Sequence, residues 1–302
     1  MKKAVSIMIA LVLSVLVTAC GSTPAGTDAE SGAQSTAAPA EKRVIAGTVS
    51  AMQYLDALGA DVVAIPTTDK EVPANYQGKP EIGMPMSPNL EMILAQTPDI
   101  FIADMNLKAT LDEMFYGKSV DLILLDNNSY DSIATNINLL AEKLGLESKA
   151  EEVISQIEAK KQAALTKAEG KEQPKVAVIF GTTAMFMLAT DNSCVGSMVN
   201  LLGAPNITDD LGLGDAYVTF DREKLAELNP DVILRLSHAD PAETAKAFET
   251  EFSKPFWRQI KAVQNNRVYD LDIEYFGVTA NYKTIDAPSL LADMLYGEGQ
   301  PS

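Results

Sequence analysis

The sequence predicts an α/β protein with two Rossmann-like lobes, one long α-helix joining them, and a ligand cleft between the lobes. Three observations carry that expectation. From Arg43 onward, short apolar runs alternate with amphipathic stretches, the rhythm of β and α units in largely parallel sheets. Near mid-chain the rhythm breaks for one long helical pattern with no strand in it. The two halves also echo each other. Glu91-Met-Ile-Leu-Ala-Gln-Thr-Pro98-Asp99-Ile100 and Glu223-Lys-Leu-Ala-Glu-Leu-Asn-Pro230-Asp231-Val232 each place a helical glutamate before a Pro-Asp turn and an apolar strand.

Residues 1–19 read as an export signal. Met1-Lys2-Lys3 is a short positive start, AVSIMIALVLSVLV is an apolar core, and small residues lead to Cys20. The apolar run is shorter than the ~20 residues a spanning helix needs. Its ending resembles a bacterial lipobox, which implies that Cys20 becomes the lipidated first residue of the mature chain. Residues 20–42 are mostly Gly, Ser, Thr, Ala and Pro, too poor in large apolar groups to fold, and read as a flexible tether. A lipid anchor and a tether place the body at the outer face of the cell membrane.

Residues 43–146 form the expected first lobe, with strand candidates VIAGTV, DVVAIP, DIFIA and LILLD and helical stretches SAMQYLDALG and NLEMILAQT. Residues 147–171 form the long helix, in which Val153, Ile154, Ile157, Ala164 and Leu165 keep an approximate helical period and the rest is charged. That composition predicts a mostly solvated strut. Residues 172–302 form the second lobe, with strands KVAVIF, MFMLAT, DVILRL and RVYDL and the helix REKLAELN.

The formal charge is −17, with 41 acidic against 24 basic residues. Such a body is soluble and repels nucleic acid, so nucleic-acid binding is set aside. Cys194 has no cysteine left to pair with once Cys20 is lipidated, and reads as a small buried residue. His238 is the single histidine of the chain, placed where the run DVILRL ends and SHADPAETAKAF begins a helix. Imidazole is the commonest side-chain metal ligand. On the residues alone, His238 is either a ligand or nothing.

Lipobox, tether, lobe, single long helix and second lobe together resemble the substrate-binding proteins of ABC importers that carry vitamin B12, siderophores or haem. Finer motifs are similar to the haem-binding lipoproteins of the iron-regulated surface determinant type. They are Glu81-Ile-Gly-Met-Pro-Met86-Ser-Pro-Asn-Leu-Glu91, Arg235-Leu-Ser-His238, Phe256-Trp257-Arg258-Gln-Ile-Lys-Ala-Val263 and Val268-Tyr-Asp-Leu271 with Phe276-Gly-Val-Thr-Ala280. The resemblance implies that haem b is the transported ligand, its iron held between Met86 of the first lobe and His238 of the second. Met84 is the substitute for Met86. A His–Met pair is a known axial set that leaves no open position on iron, which suits carriage and argues against an enzyme.

The porphyrin needs apolar cover, for which Tyr54, Tyr76, Met84, Met185, Tyr217, Tyr275 and Phe276 are candidates. Its anionic carboxylates need donors. Helix-start amides at Val49 and Ser50, and Ser87, are the first candidates; Arg222, Arg235 and Lys283 come after them. The resemblance further implies that Glu91 and Glu223, one per lobe, pair with arginines of a permease. Implied partners are that ABC permease with its ATPase and, upstream, surface haem-binding proteins; the carrier itself is expected to be a monomer.

Other readings are weaker. A ferric-siderophore or corrinoid carrier of the same class has no use for a His–Met pair. Zinc or manganese carriage needs several His and carboxylate ligands. A tethered electron-transfer haemoprotein would ordinarily carry C-x-x-C-H, and a serine hydrolase G-x-S-x-G; neither occurs.

Overall fold

The computed structural model describes residues 42–209, 214–219 and 221–297. The export signal, Cys20 and the tether before residue 42 lie outside the described residues.

In the first lobe β1 (Val44–Ala46) leads into α1 (Val49–Ala57), and a hairpin of β2 (Gly83–Met84) and β3 (Ser87–Pro88) leads into α2 (Leu90–Ala95). β4 (Ile100–Asp104), α3 (Lys108–Met114), β5 (Asp121–Leu125) and α4 (Ser132–Leu144) follow. The sheet is parallel in the order β1-β4-β5, and β1 and β4 are buried along their whole length, as strands covered on both faces must be. The segment DVVAIP, expected as a strand, makes only isolated bridges. Val63 N–H donates to Val44 O and Ala46 N–H to Ala64 O, but Ile65 then turns to pair beside Glu81, and Pro66 has no N–H with which to continue.

The long helix is α5 (Glu147–Ala168), followed by β6 (Val176–Gly181), β7 (Phe186–Ala189), α6 (Cys194–Leu201), β8 (Tyr217–Thr219) and α7 (Arg222–Leu228). Then come β9 (Val232–Ser237), α8 (Pro241–Phe252), α9 (Lys261–Gln264), β10 (Val268–Leu271) and α10 (Ala287–Tyr296). The second sheet runs β10-β9-β6-β7-β8, with β10, β9 and β6 parallel and β7 and β8 antiparallel. It is therefore mixed.

α5 is not a free strut. Ala150, Val153, Ile157 and Ala164 are buried on it. It packs between α4 and α10. Lys161 pairs with Asp131 ahead of α4, and Lys160 and Lys167 pair with Asp286 and Asp293 at and within α10. The charged composition hid a helix whose own lysines clamp it to both neighbours.

The sequence echo is a structural repeat. Asp99 accepts at Oδ2 from Arg43 N–H (2.8 Å), and Asp231 accepts at Oδ2 from Lys175 N–H (2.9 Å). Those two bonds lock β1 to β4 and β6 to β9 at the same point. In each lobe the residue before the proline, Thr97 or Asn229, has positive φ. The basic side chain beside the aspartate then covers the helix's last carbonyls: Arg43 donates to Gln96 O and Thr97 O, Lys175 to Leu228 O.

Candidate ligand-binding site

In parallel α/β sheets ligands bind beyond the carboxyl ends of the strands. Here those ends, from both lobes, line one open cavity of about 810 Å³, within the 300–1,000 Å³ usual for small-molecule sites.

From the first lobe, Thr48, Val49 and Ser50 follow β1, Asp104 ends β4 with Asn106 and Leu107 just after it, and Pro85 and Met86 come from the hairpin tip. Thr48 caps α1, its Oγ1 accepting from Ala51 N–H (3.3 Å). Val49 and Ser50 are the first helical residues, whose amides have no partner inside a helix and favour an anion. Met86 is placed by pairing of Gly83 with Pro88 and Met84 with Ser87, which leaves Pro85-Met86 as a two-residue tip. The Met86 side chain is 77% exposed at the cavity wall.

From the second lobe, Ser237, His238 and Ala239 close β9, and the stretch from Asp272 to Lys283 follows β10. His238 N–H donates to Gly181 O (3.0 Å), and His238 O accepts from Thr244 Oγ1 (3.3 Å). Its ring leans on Phe180, centroids 5.7 Å apart. Asp240 caps α8 through Glu243 N–H, with Pro241 opening the helix. The backbone around His238 is thus fixed on both sides while the side chain stays exposed.

The structure brings Met86, His238, Val49, Ser50, Phe276 and Lys283 to this one cavity. Other expected wall residues fall elsewhere. Tyr54 and Tyr76 are core residues: Tyr54 OH donates to Asn127 and Tyr76 OH to Ala60 O (2.6 Å), and burial pushes both hydroxyls up in pKa. Met84, Ser87 and Met185 are exposed outside the cavity wall, and Tyr275 and Tyr217 are half-buried, the Tyr217 ring tilted against Phe180. Arg222 and Arg235 are committed to Glu251 and Asp270. Cys194 is fully buried, its thiol pushed up to about 12 by burial.

Sequence reasoning missed Lys70, Asp104, Asn106 and the stretch Gly277–Asn281, all in the wall. Asp104 ends β4 and Asn106 lies two residues past it, a place that could have marked both; Gly277–Ala280 lies within a motif in which only Phe276 was given a wall role; and Lys70 follows no strand directly. Lys283 lies between carboxylates, donating to Glu71 of the first lobe (3.1 Å) and to Glu274 of the second. Among the described residues no group of three His, Cys, Asp or Glu side chains could hold a bare metal ion. The cavity offers one imidazole and one thioether from opposite lobes, apolar cover, and helix-start amides.

Glu91 and Glu223 are exposed and occupy the same place in the repeat, second residue of a short helix capped by Asn89 or Asp221.

Residues 44–275 match the family model described as periplasmic binding protein. The chain is 32% identical over 290 residues to the high-affinity heme uptake system protein IsdE of Staphylococcus aureus, covering 95% of this chain and 96% of that one. Its fold matches the crystal structure of S. aureus IsdE complexed with heme at a TM-score of 0.77, with 32% identity, over 85% of this chain and 99% of that one. It also matches an ABC transporter substrate-binding protein from Listeria monocytogenes EGD-e, TM-score 0.79 and 32% identity at the same coverage.

Proposed function

The chain belongs to the periplasmic binding protein family, a binding protein rather than an enzyme, and from that premise we propose that it binds haem between its lobes and delivers it to an ABC permease. The observation that carries this reading is the convergence of Met86 and His238 on one cavity from opposite lobes. Thioether and imidazole, one on each face of the porphyrin, would saturate the iron and hold it against loss without leaving a position for oxygen. The first-turn amides at Val49 and Ser50 receive a ligand carboxylate, which lets an acidic body hold an anionic ligand without a large side-chain charge. Phe276 supplies apolar cover.

The protein is lipid-anchored through Cys20 at the outer face of the cell membrane and works as a monomer. Glu91 and Glu223 present one carboxylate from each lobe to permease arginines. The permease acts with its ATPase, and surface haem-binding proteins supply the haem.

Haemin titration of residues 21–302, followed by visible spectrum, tests the reading alongside His238→Ala and Met86→Ala. Stoichiometric low-spin binding, disturbed by both substitutions, is expected. Loss with His238→Ala only would move the second ligand to Met84 or elsewhere. No saturable binding by the parent would overturn the haem assignment and leave a carrier of another chelate.

A further inference from the structure

Behind the cavity, α1, the end of β4 and α4 converge on one side chain that solvent does not reach. Asn127, two residues past β5, is fully buried. Its Nδ2 donates to Asp104 Oδ2 (2.7 Å) and to Ser50 Oγ (3.3 Å). Its Oδ1 accepts from Tyr54 OH (3.0 Å) and Asn136 Nδ2 (2.9 Å). Its backbone carbonyl accepts from Ala280 N–H (2.7 Å).

A side-chain amide has two donor and two acceptor positions, and all four are filled. The amide has only one workable orientation. Flipped, its oxygen would face the Asp104 carboxylate and its NH2 would face the Asn136 NH2. Ser50 and Asp104 line the cavity from the first lobe and Ala280 lines it from the second, while Asn127 itself does not line it. One buried residue therefore grips both walls. Inside a protein such a network is rigid when fully satisfied and costly when one member is left without a partner.

We infer that Asn127 is a positioning residue for ligand binding: without touching the ligand, it fixes the separation of the two walls and with it the distance between Met86 and His238. The consequence for the ligand rests on the haem reading above; the wall-setting role does not.

The informative change is Asn127→Asp in the full chain. It keeps shape and both acceptor contacts, sets a carboxylate against Asp104, and removes the donor to Ser50. Haemin affinity is expected to fall roughly tenfold or more, with part of the low-spin band replaced by a high-spin one as one axial donor moves out of reach. The paired exchange Asp104→Asn with Asn127→Asp reverses the bond, an amide at position 104 donating to a carboxylate at position 127. It is expected to bring affinity back to within about threefold of the parent and restore the low-spin spectrum. Glu251→Gln, a destabilising change remote from the cavity, is expected to leave the spectrum unchanged.

Hydrogen exchange at the Ala280 amide supplies a readout that needs no haem. It should quicken in Asn127→Asp and slow again in the pair. If the parent takes up no haemin, the haem reading fails, and this exchange alone decides the inference. Parent-like affinity, spectrum and Ala280 exchange in Asn127→Asp would overturn it. So would a pair that folds but binds tenfold more weakly than the parent. Should Asn127→Asp not fold, the pair carries the test by itself, against the same threshold.

Discussion

Ala239 turns the chain away from His238, and it does so at φ +67°. That left-handed conformation costs an alanine about 1–2 kcal/mol. Replacing it by glycine releases the strain, less about 0.4–1 kcal/mol for the freer unfolded chain. Ala239→Gly should therefore stabilise the protein by about 0.5–1 kcal/mol, read as a higher urea midpoint; a lower midpoint would show that the site holds no strain. Gly196, in α6, runs the other way. A Cβ there would stand 1.8 Å from Thr190 O, an oxygen already accepting from Ser193 Oγ and N–H. Backbone must shift to admit it, so Gly196→Ala should cost about 1–3 kcal/mol in the same measurement. Residues differ in how far sequence exposes such roles. His238's place at the cavity was legible because it sits at a strand's end, whereas its role as an iron ligand was implied only by the resemblance. Asn127, within Asp-Asn-Asn-Ser, reads as any turn asparagine, and its partners come from α1, β4, α4 and the other lobe. Tyr54 and Tyr76 misled for a related reason, since a tyrosine's ring says it seeks cover and nothing in sequence says that its hydroxyl is already satisfied within the core.

Elements are secured by contacts at their ends. α7, which carries Glu223, starts at Arg222, whose guanidinium donates twice to Glu251 at the end of α8 (3.1 and 2.7 Å). Lys254 and Trp257 Nε1 donate to the same buried carboxylate. Burial alone would push the Glu251 carboxyl up, but the bonds from Lys254, Arg222 and Trp257 outweigh it and hold it below the usual range. A carboxyl held down in the folded state adds stability above its unfolded pKa of about 4.3, and that contribution disappears as pH falls through the folded value. Glu251→Gln should then lower stability by about 1–2 kcal/mol at pH 7, Arg222 and Lys254 being half-exposed, and by nearly nothing at a pH low enough to protonate the parent's carboxyl in the folded state, below its lowered pKa. Urea unfolding at both pH values checks this; a gap that does not close in acid would assign Glu251 a packing role instead. At this scale periodicity was informative for long apolar strands such as KVAVIF, whose β6 is buried throughout. It failed at DVVAIP, where a proline cuts the ladder, and at Tyr217–Thr219, three half-exposed or exposed residues that are a strand only because β7 is there to pair with.

Across the whole molecule the lobes share their interior. The largest cluster of buried apolar side chains runs from Val44 and Ile102 of the first lobe, through Val153 and Ile157 of α5, to Val178, Leu234 and Leu291 of the second. Polar bonds cross the same joint: Tyr282 N–H to Gln53 Oε1 (3.1 Å), Tyr130 N–H to Ser197 Oγ (3.2 Å), and Lys283 between Glu71 and Glu274. The two-lobe architecture was legible from the repeat and the long helix. The shared core was not, because α5 is charged on every face but a narrow stripe, and a sequence does not say what that stripe meets. Domains joined by a small polar interface unfold separately and move as separate bodies. A continuous apolar core argues the reverse, since neither lobe can open without exposing side chains that the other covers, and the cost of that exposure couples them. Heating should accordingly produce one transition in which the calorimetric enthalpy equals the van't Hoff enthalpy. Two resolved transitions, or a calorimetric enthalpy well above the van't Hoff value, would mean that the crossing contacts are too weak to couple the lobes. The same coupling limits what a ligand can do. A carrier whose lobes share a core cannot close like a hinge around its cargo; it must meet the ligand with walls already set at the right distance, which is why a single buried asparagine, its side chain bonded within the first lobe and its backbone carbonyl to the second, has so much to hold.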